Sequence, residues 1–205
     1  MARKVKPPEQ RKLEIVGSAK RLFGLRGYAK TTITEIIEDA EISKGLFYYY
    51  FGSKEEILDE IVNQLVEEDV AALKVCAARP APAPDRLVDM VRQHRALFVR
   101  SEGHIKSQLR AINNPEIGIR AIRLAVVSLT PLLADVVREG LADGCFQVDD
   151  PDGAVELLLF AATFEAAFGP AHHASKRDRA LLMMMERTLG APPGAMLSVA
   201  ARTTG

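Results

Sequence analysis

Cysteine is scarce in this chain of 205 residues: Cys76 and Cys145 are the only two, in no CxxC pair and at no metal-ligand spacing. A disulfide framework and a zinc site are therefore not expected, and a reducing compartment fits. Long hydrophobic runs are missing too. Each nearly apolar stretch is interrupted before the roughly 20 residues that a membrane-spanning helix needs, and no apolar signal region adjoins the basic first residues. The expected location is the cytoplasm, with no membrane partner. No stretch alternates apolar and polar residues as a half-buried strand does, and no internal repeat appears. The sequence also lacks a Gly-rich phosphate loop and a nucleophile elbow. His172 and His173 have no matching carboxylates, while His94 and His104 are not at helical ligand spacing. Neither catalysis nor a bound metal or cofactor is expected, and Asp149 and Asp150 read as turn and cap residues.

A net charge is absent as well, yet its distribution is uneven. Residues 1–54 hold eleven Lys or Arg against six Asp or Glu, a net +5. The remainder holds sixteen against twenty-one, a net −5. A basic head on an acidic body fits a phosphate-binding unit carried by a body that does not itself adhere to nucleic acid. With 48% hydrophobic and 26% charged residues, the chain has ample material for one ordinary domain plus a small one.

The densest information lies between Thr32 and Phe51. Thr32 followed by Glu35 is a capping box, so a short helix starts at Ile33. Ile33, Ile36, Ile37 and Ala40 form one apolar stripe that stops after two turns. Glu41 and Ile42 make a tight connection, and Ser43 caps a second short helix from Lys44. Two short helices joined so briefly form a helix-turn-helix, whose second helix enters the DNA major groove. On that second helix, at about 100° per residue, Phe47 and Phe51 face inward with Tyr50 on their flank. Gly45, Leu46, Tyr48 and Tyr49 are left outward, which calls for a partner surface. Tyrosine hydroxyls reach phosphate oxygens, Gly45 permits close backbone approach, and Leu46 can touch a thymine methyl.

The run Ser43-Lys44-Gly45-Leu46-Phe47-Tyr48-Tyr49-Tyr50-Phe51-Gly52-Ser53-Lys54, preceded by Thr31-Thr32, resembles the DNA-binding motif of the TetR family of bacterial transcriptional regulators. The resemblance covers about residues 10–57. It implies that Thr32, Lys44, Tyr48, Tyr49 and Lys54 contact phosphates or bases, with Thr31, Ser43, Gly45 and Leu46 completing the interface. The chain departs from the pattern at two positions. Glu41 stands where the family usually has glycine, and a non-glycine carries an extra cost for positive φ. Leu46 stands where threonine is common, which leaves the base preference open.

An all-α architecture follows, with an N-terminal three-helix DNA-binding domain over residues 1–54 and a basic arm at 1–8. A larger helical effector-binding and dimerisation domain spans 55–190, and 191–205 is expected to be a flexible tail rich in Ala, Gly, Pro and Thr. Residues 9–25 form the first helix, with Ile15, Ala19, Leu22 and Phe23 on one face and Gly27 as its stop. Ser53 and Glu56 start a long linking helix carrying Ile57, Ile61 and Leu65. The alternating prolines of residues 79–84 read as a stiff connector. Leu87, Val91, His94 and Phe98 then share a stripe, a shorter helix runs from about 104 to 113, and Pro115 opens a long one that Pro131 should kink or break. Asp150-Pro151 starts a helix to Phe168 that is apolar nearly all round. A last helix, capped by Ser175, is also broadly apolar.

His94 is the one polar side chain on its stripe, which suits either a satisfied core histidine or a ligand cavity. The family's effector pocket lies among the middle helices, which implies a pocket of His94, Phe98, Gln108, Arg123, Phe160, Phe164 and Glu165 for an unidentified small, hydrophobic effector. The excess apolar circumference of the last two helices suggests a subunit interface, and the resemblance implies a four-helix homodimer through Leu158, Ala162, Ala166, Leu182, Met185 and Leu189. The resulting expectation is a homodimeric, ligand-responsive repressor of a palindromic operator in double-stranded DNA. A TetR-like activator and a helical protein-binding adaptor are the alternatives.

Overall fold

The computed structural model describes residues 7–100, 115–168 and 174–202. Among them are nine helices and no strand: α1 (Pro8–Arg26), α2 (Ile33–Asp39), α3 (Lys44–Tyr50), α4 (Lys54–Ala77), α5 (Ala83–Arg100), α6 (Pro115–Ala142), α7 (Pro151–Phe168), α8 (Ala174–Thr188) and α9 (Ala195–Arg202). The helix expected at 104–113 lies outside the described residues, as do the basic arm up to residue 6, the Gly169-Pro170 stop and the His172-His173 pair. By contacts the chain forms two compact units, one of residues 1–65 with 103–121 and one of 66–102 with 122–205.

The first unit is built on α1, α2, α3 and the beginning of α4. Ile15, Ala19, Leu22 and Phe23 are buried on α1 as their spacing demands, joined by Val16, and they enclose Ile36, Phe47, Phe51, Ile57 and Ile61. Gly27 ends α1 at φ 83°, a conformation that glycine reaches without a Cβ clash. Tyr28 packs edge-on against Phe23, with ring centroids 5.1 Å apart. Its hydroxyl donates to Glu55 at 2.8 Å. Burial, and then that carboxylate, push the Tyr28 hydroxyl pKa well above its ordinary value.

The second unit holds one contiguous apolar core, including Leu73 of α4, Leu87 and Met90 of α5, Leu129 and Leu133 of α6, Leu158 and Leu159 of α7, Met185 and Leu189 of α8 and Met196 of α9. Gly140 of α6 is needed here because a Cβ would meet Ala83 at 2.9 Å and would strike the Phe146 ring. Pro131 does not interrupt α6, contrary to expectation. It sits on the exposed side of the helix, the Thr130 hydroxyl donates to the Val126 carbonyl at 2.8 Å, and burial of Leu129, Leu133 and Ala134 holds the turns on either side. The lost hydrogen bond is thus outweighed by packing. Asp150 accepts from the Gly153 amide at 3.0 Å, as expected of a cap before a proline.

Two further expectations are corrected. Helix α8 starts at Ala174, which puts Ser175 inside it and not at its cap. The segment expected to be a loose tail carries α9, packed against α5 and α8, with Met196 and Val199 buried. The cause is a long-range anchor. Buried Glu186 accepts from the amides of Met196 (2.9 Å), Leu197 (3.2 Å) and Gly194 (3.1 Å), filling the orphan donors at the start of α9. Arg92 reaches the Ala200 carbonyl near its other end.

Candidate nucleic-acid interface

The geometry of α2 and α3 follows from local hydrogen bonds. Thr32 accepts from the Glu35 amide at 3.2 Å, while Glu35 accepts from the Thr32 amide at 2.8 Å, which completes the capping box. The amide and then the hydroxyl of Thr32, both donating to that carboxylate, and after them Arg26, hold the Glu35 carboxyl below the usual carboxylate range. Helix α2 ends with the Glu41 amide on the Glu38 carbonyl and the Ile42 amide on the Ile37 carbonyl, both at 3.2 Å. This is a Schellman closure, and it requires Glu41 to adopt φ 51°. The turn therefore keeps the left-handed geometry for which the family favours glycine, and Glu41 bears the strain. Ser43 then accepts from the Leu46 amide at 3.2 Å and starts α3.

On α3, Phe47 and Phe51 are buried, whereas Tyr48 is 49% and Tyr49 76% exposed. Lys44 and Gly45 are also exposed, Tyr50 is half-buried, and Leu46 is half-buried instead of fully outward. The Tyr49 and Tyr50 rings meet edge-on at 4.9 Å, so Tyr50 steadies its more exposed neighbour. A Cβ at Gly45 would meet nothing within 4 Å, and its φ is not positive. No internal constraint in the folded chain accounts for glycine there.

Thr31 is the one expected contact that the structure withdraws. It is buried, and its hydroxyl donates to the Gly27 carbonyl at 2.9 Å, closing the α1–α2 loop. Its twin Thr32, exposed at the cap, keeps the outward role. Lys54 is half-buried, with its ammonium 4.2 Å from the Tyr28 ring centroid. It donates to the carbonyls of Tyr28 (2.8 Å) and Thr31 (2.9 Å), leaving one of its three donors for another acceptor. Sequence reasoning missed Lys30, exposed in the same loop. Several neighbouring cations are neutralised within the unit: Arg21 pairs with Asp39, Arg26 with Glu35, Arg11 with Glu14 and Lys12 with Glu60.

Among the described residues, those expected to line an effector pocket are not gathered at one cavity. Arg123 is exposed, and Phe160 and Phe164 stack on each other at 6.2 Å on the exposed side of α7. Glu165 is paired with Arg95 at 2.7 Å and with Arg177. Of the described members of that set, only His94 borders the cavity of about 20 Å³ inside the second unit. The side chain of Phe98, and Gln108 entirely, lie outside the described residues. The expected interface is corrected in the opposite sense, since Leu158, Ala162, Ala166, Leu182, Met185 and Leu189 are all buried within the chain itself. Four of them, Leu158, Ala162, Met185 and Leu189, line that cavity.

A basic-headed helix-turn-helix with an outward tyrosine face has the layout of a DNA-binding head, and known proteins share it. Residues 15–61 match the family described as "Bacterial regulatory proteins, tetR family". The chain is 46% identical over 50 residues to the HTH-type transcriptional regulator HbdR of Aromatoleum sp. (strain CIB), a match covering 24% of this chain and only 22% of that protein. It is 28% identical over 156 residues to the HTH-type transcriptional regulator YhgD of Bacillus subtilis (strain 168), covering 73% of this chain and 78% of YhgD. The fold superposes on a crystal structure of RolR with its ligand resorcinol with a TM-score of 0.73, at 23% identity and 95% coverage of each chain. A TetR/AcrR-family regulator from Thermobifida fusca gives a TM-score of 0.66, at 26% identity, covering 88% of this chain and 97% of that one. Residues 15–61 thus match the DNA-binding part of bacterial regulatory proteins of the tetR family, and the chain is similar over that region to HTH-type transcriptional regulators. No helix among the described residues is long and apolar enough to cross a membrane.

Proposed function

We propose that the chain acts in the cytoplasm as a homodimeric repressor that reads a palindromic operator with α3 and releases it when a small, mainly apolar effector enters the body. The observation that carries the DNA reading is the outward face of α3, where Tyr49 stands 76% exposed beside an exposed lysine and a glycine with open space over it. The base-reading and phosphate contacts are Thr32, Lys44, Gly45, Tyr48 and Tyr49, supported by Ser43, Leu46, Lys30 and the third donor of Lys54.

The homodimer reading moves to the other side of α7. Leu157 (73% exposed), Phe160 and Phe164 fall within one narrow sector of that helix, and Met184 of α8 is exposed as well. A second copy covering this face is the arrangement that a two-fold, self-complementary contact produces. Two such heads address half-sites about one DNA turn apart.

Selection of bound duplexes from a random pool tests the whole reading. An enriched inverted repeat is expected, whereas a purified chain that enriches nothing at low ionic strength overturns it. On the selected duplex, Lys44→Ala is expected to lower affinity for all sequences and to flatten the salt slope by about one. Arg21→Ala, whose guanidinium already pairs with Asp39, is expected to leave the slope unchanged.

A further inference from the structure

Three donors converge on one carboxylate where α1 gives way to α2. The Thr32 amide donates to Glu35 Oε2 at 2.8 Å, and the Thr32 hydroxyl donates to the same oxygen at 3.0 Å. Arg26 Nη1 donates to the other oxygen, Oε1. The corner is open to solvent, since Thr32 is exposed and the side chains of Arg26 and Glu35 keep 55% and 32% of their surface. An amide, a hydroxyl and a guanidinium gathered on the two oxygens of one anion are also the groups that hold a DNA phosphate. The first helix of a helix-turn-helix crosses the DNA backbone, and Thr32 is the cap of that helix. A phosphate arriving there finds its donors already taken, by a group of its own sign.

We infer that Glu35 is a competitor of DNA built into the head: it occupies a phosphate site made of Arg26 and Thr32, and so caps the affinity of the head for any duplex. The inference rests on the DNA-binding reading above and deepens it, because it assigns Arg26 to a phosphate and makes Glu35 a positioning residue that acts through Arg26. In folding, Glu35 closes the capping box and favours α2. In binding, it withholds a hydroxyl and a cation, and a cation already paired adds little to counterion release. Thr32 therefore meets a phosphate only in competition with its own capping partner. The bonds from Thr32, and then Arg26, lower the Glu35 pKa, so the carboxylate is charged at neutral pH and the competition persists there. Random sequence offers phosphates everywhere. A head with part of its phosphate grip withheld is held less by such sequence, which leaves more of it free to reach the site its base contacts select.

The test uses the full chain and compares it with Glu35→Gln, Glu41→Gln and the double variant Arg26→Gln with Glu35→Gln, on the selected duplex and on a random one, over a series of salt concentrations. Glutamine at 35 keeps the capping box but has no charge with which to hold Arg26. Glu35→Gln is expected to bind both duplexes roughly tenfold more tightly and to steepen the salt slope by about one. Glu41→Gln removes the same charge from the neighbouring turn without releasing Arg26, and is expected to stay within roughly threefold of the unmodified chain. The double variant frees no guanidinium, and is expected to return to within roughly threefold of the unmodified chain and to its slope. A purely structural Glu35 predicts the opposite sign, weaker binding at an unchanged slope. Weaker or unchanged binding by Glu35→Gln, an equal gain from Glu41→Gln, or a gain that survives the loss of Arg26 overturns the inference. Failure of all these chains to bind any duplex at low ionic strength overturns the DNA-binding reading itself, whereas binding without the Arg26-dependent gain overturns only the role of Glu35.

Discussion

Replacing Gly45 with alanine should move folding and DNA binding in opposite directions. Gly45 occupies the second position of the seven-residue helix α3, where glycine is less favourable than alanine because it loses more backbone freedom on folding. At this near-terminal site the gain from alanine is about 0.5 kcal/mol, the lower end of the range for helix interiors. Nothing in the folded chain opposes the change, since the added Cβ would meet no heavy atom within 4 Å and φ is already accessible to any residue. On DNA the same methyl group faces the groove, and it must be accommodated where backbone and phosphate or base come into van der Waals contact. A displacement that costs one charged hydrogen bond lowers affinity by roughly tenfold, about 1.4 kcal/mol. Chemical denaturation of the full chain and titration of the selected duplex read the two effects. Unchanged or improved DNA affinity would refute the claim that glycine is there to admit a partner. A loss of stability would refute the reading of the free chain.

Glu41→Gly should stabilise the first unit by about 1 kcal/mol, since it removes the left-handed strain of a non-glycine at φ 51°; a lower denaturation midpoint would show that the Glu41 side chain makes a compensating contribution. The capping-box carboxyl of Glu35 has a folded-state pKa below its ordinary 4.5. Its stabilising effect is therefore present above that value and is lost as pH falls through the folded-state pKa. Acid titration followed by α-helical circular dichroism should show Glu35→Gln reducing the difference in stability between pH 7 and acid, and an identical acid profile would remove Glu35 as a contributor. Phe160→Asp places a charge on the exposed α7 face and should convert a dimer to monomers in sedimentation, with the fold retained. A monomeric unmodified chain, or a dimer indifferent to this change, would exclude that face as the contact.

The head was legible because its determinants are local. A threonine and a glutamate three residues apart, a serine before Lys44 and an inward Phe47–Phe51 pair each act within one or two turns. The sequence also marked Glu41 as the turn residue under strain. The body resisted for the opposite reason. Helix α7 is apolar nearly all round, so spacing does not distinguish Leu157, Phe160 and Phe164, which face outward, from Leu158, Ala162 and Ala166, which face the core. The residues expected at the interface are accordingly buried within the chain, and the described pocket candidates Phe160 and Phe164 face outward. Helix α9 depends on a carboxylate eight to eleven residues upstream, at Glu186. An Ala- and Gly-rich segment gives no local sign of such an anchor. His94 was readable as unusual, but its partners Asp69 and Thr163 lie 25 and 69 residues away, and only the packed structure brings them to it.

The first two residues of α4 both grip the loop before α2: Lys54 by two carbonyls, and Glu55 by the Tyr28 hydroxyl. Within the first unit these three bonds tie the base of α4 to the residues between α1 and α2, so that loop and helix start are fastened to each other before Thr32 opens the next helix.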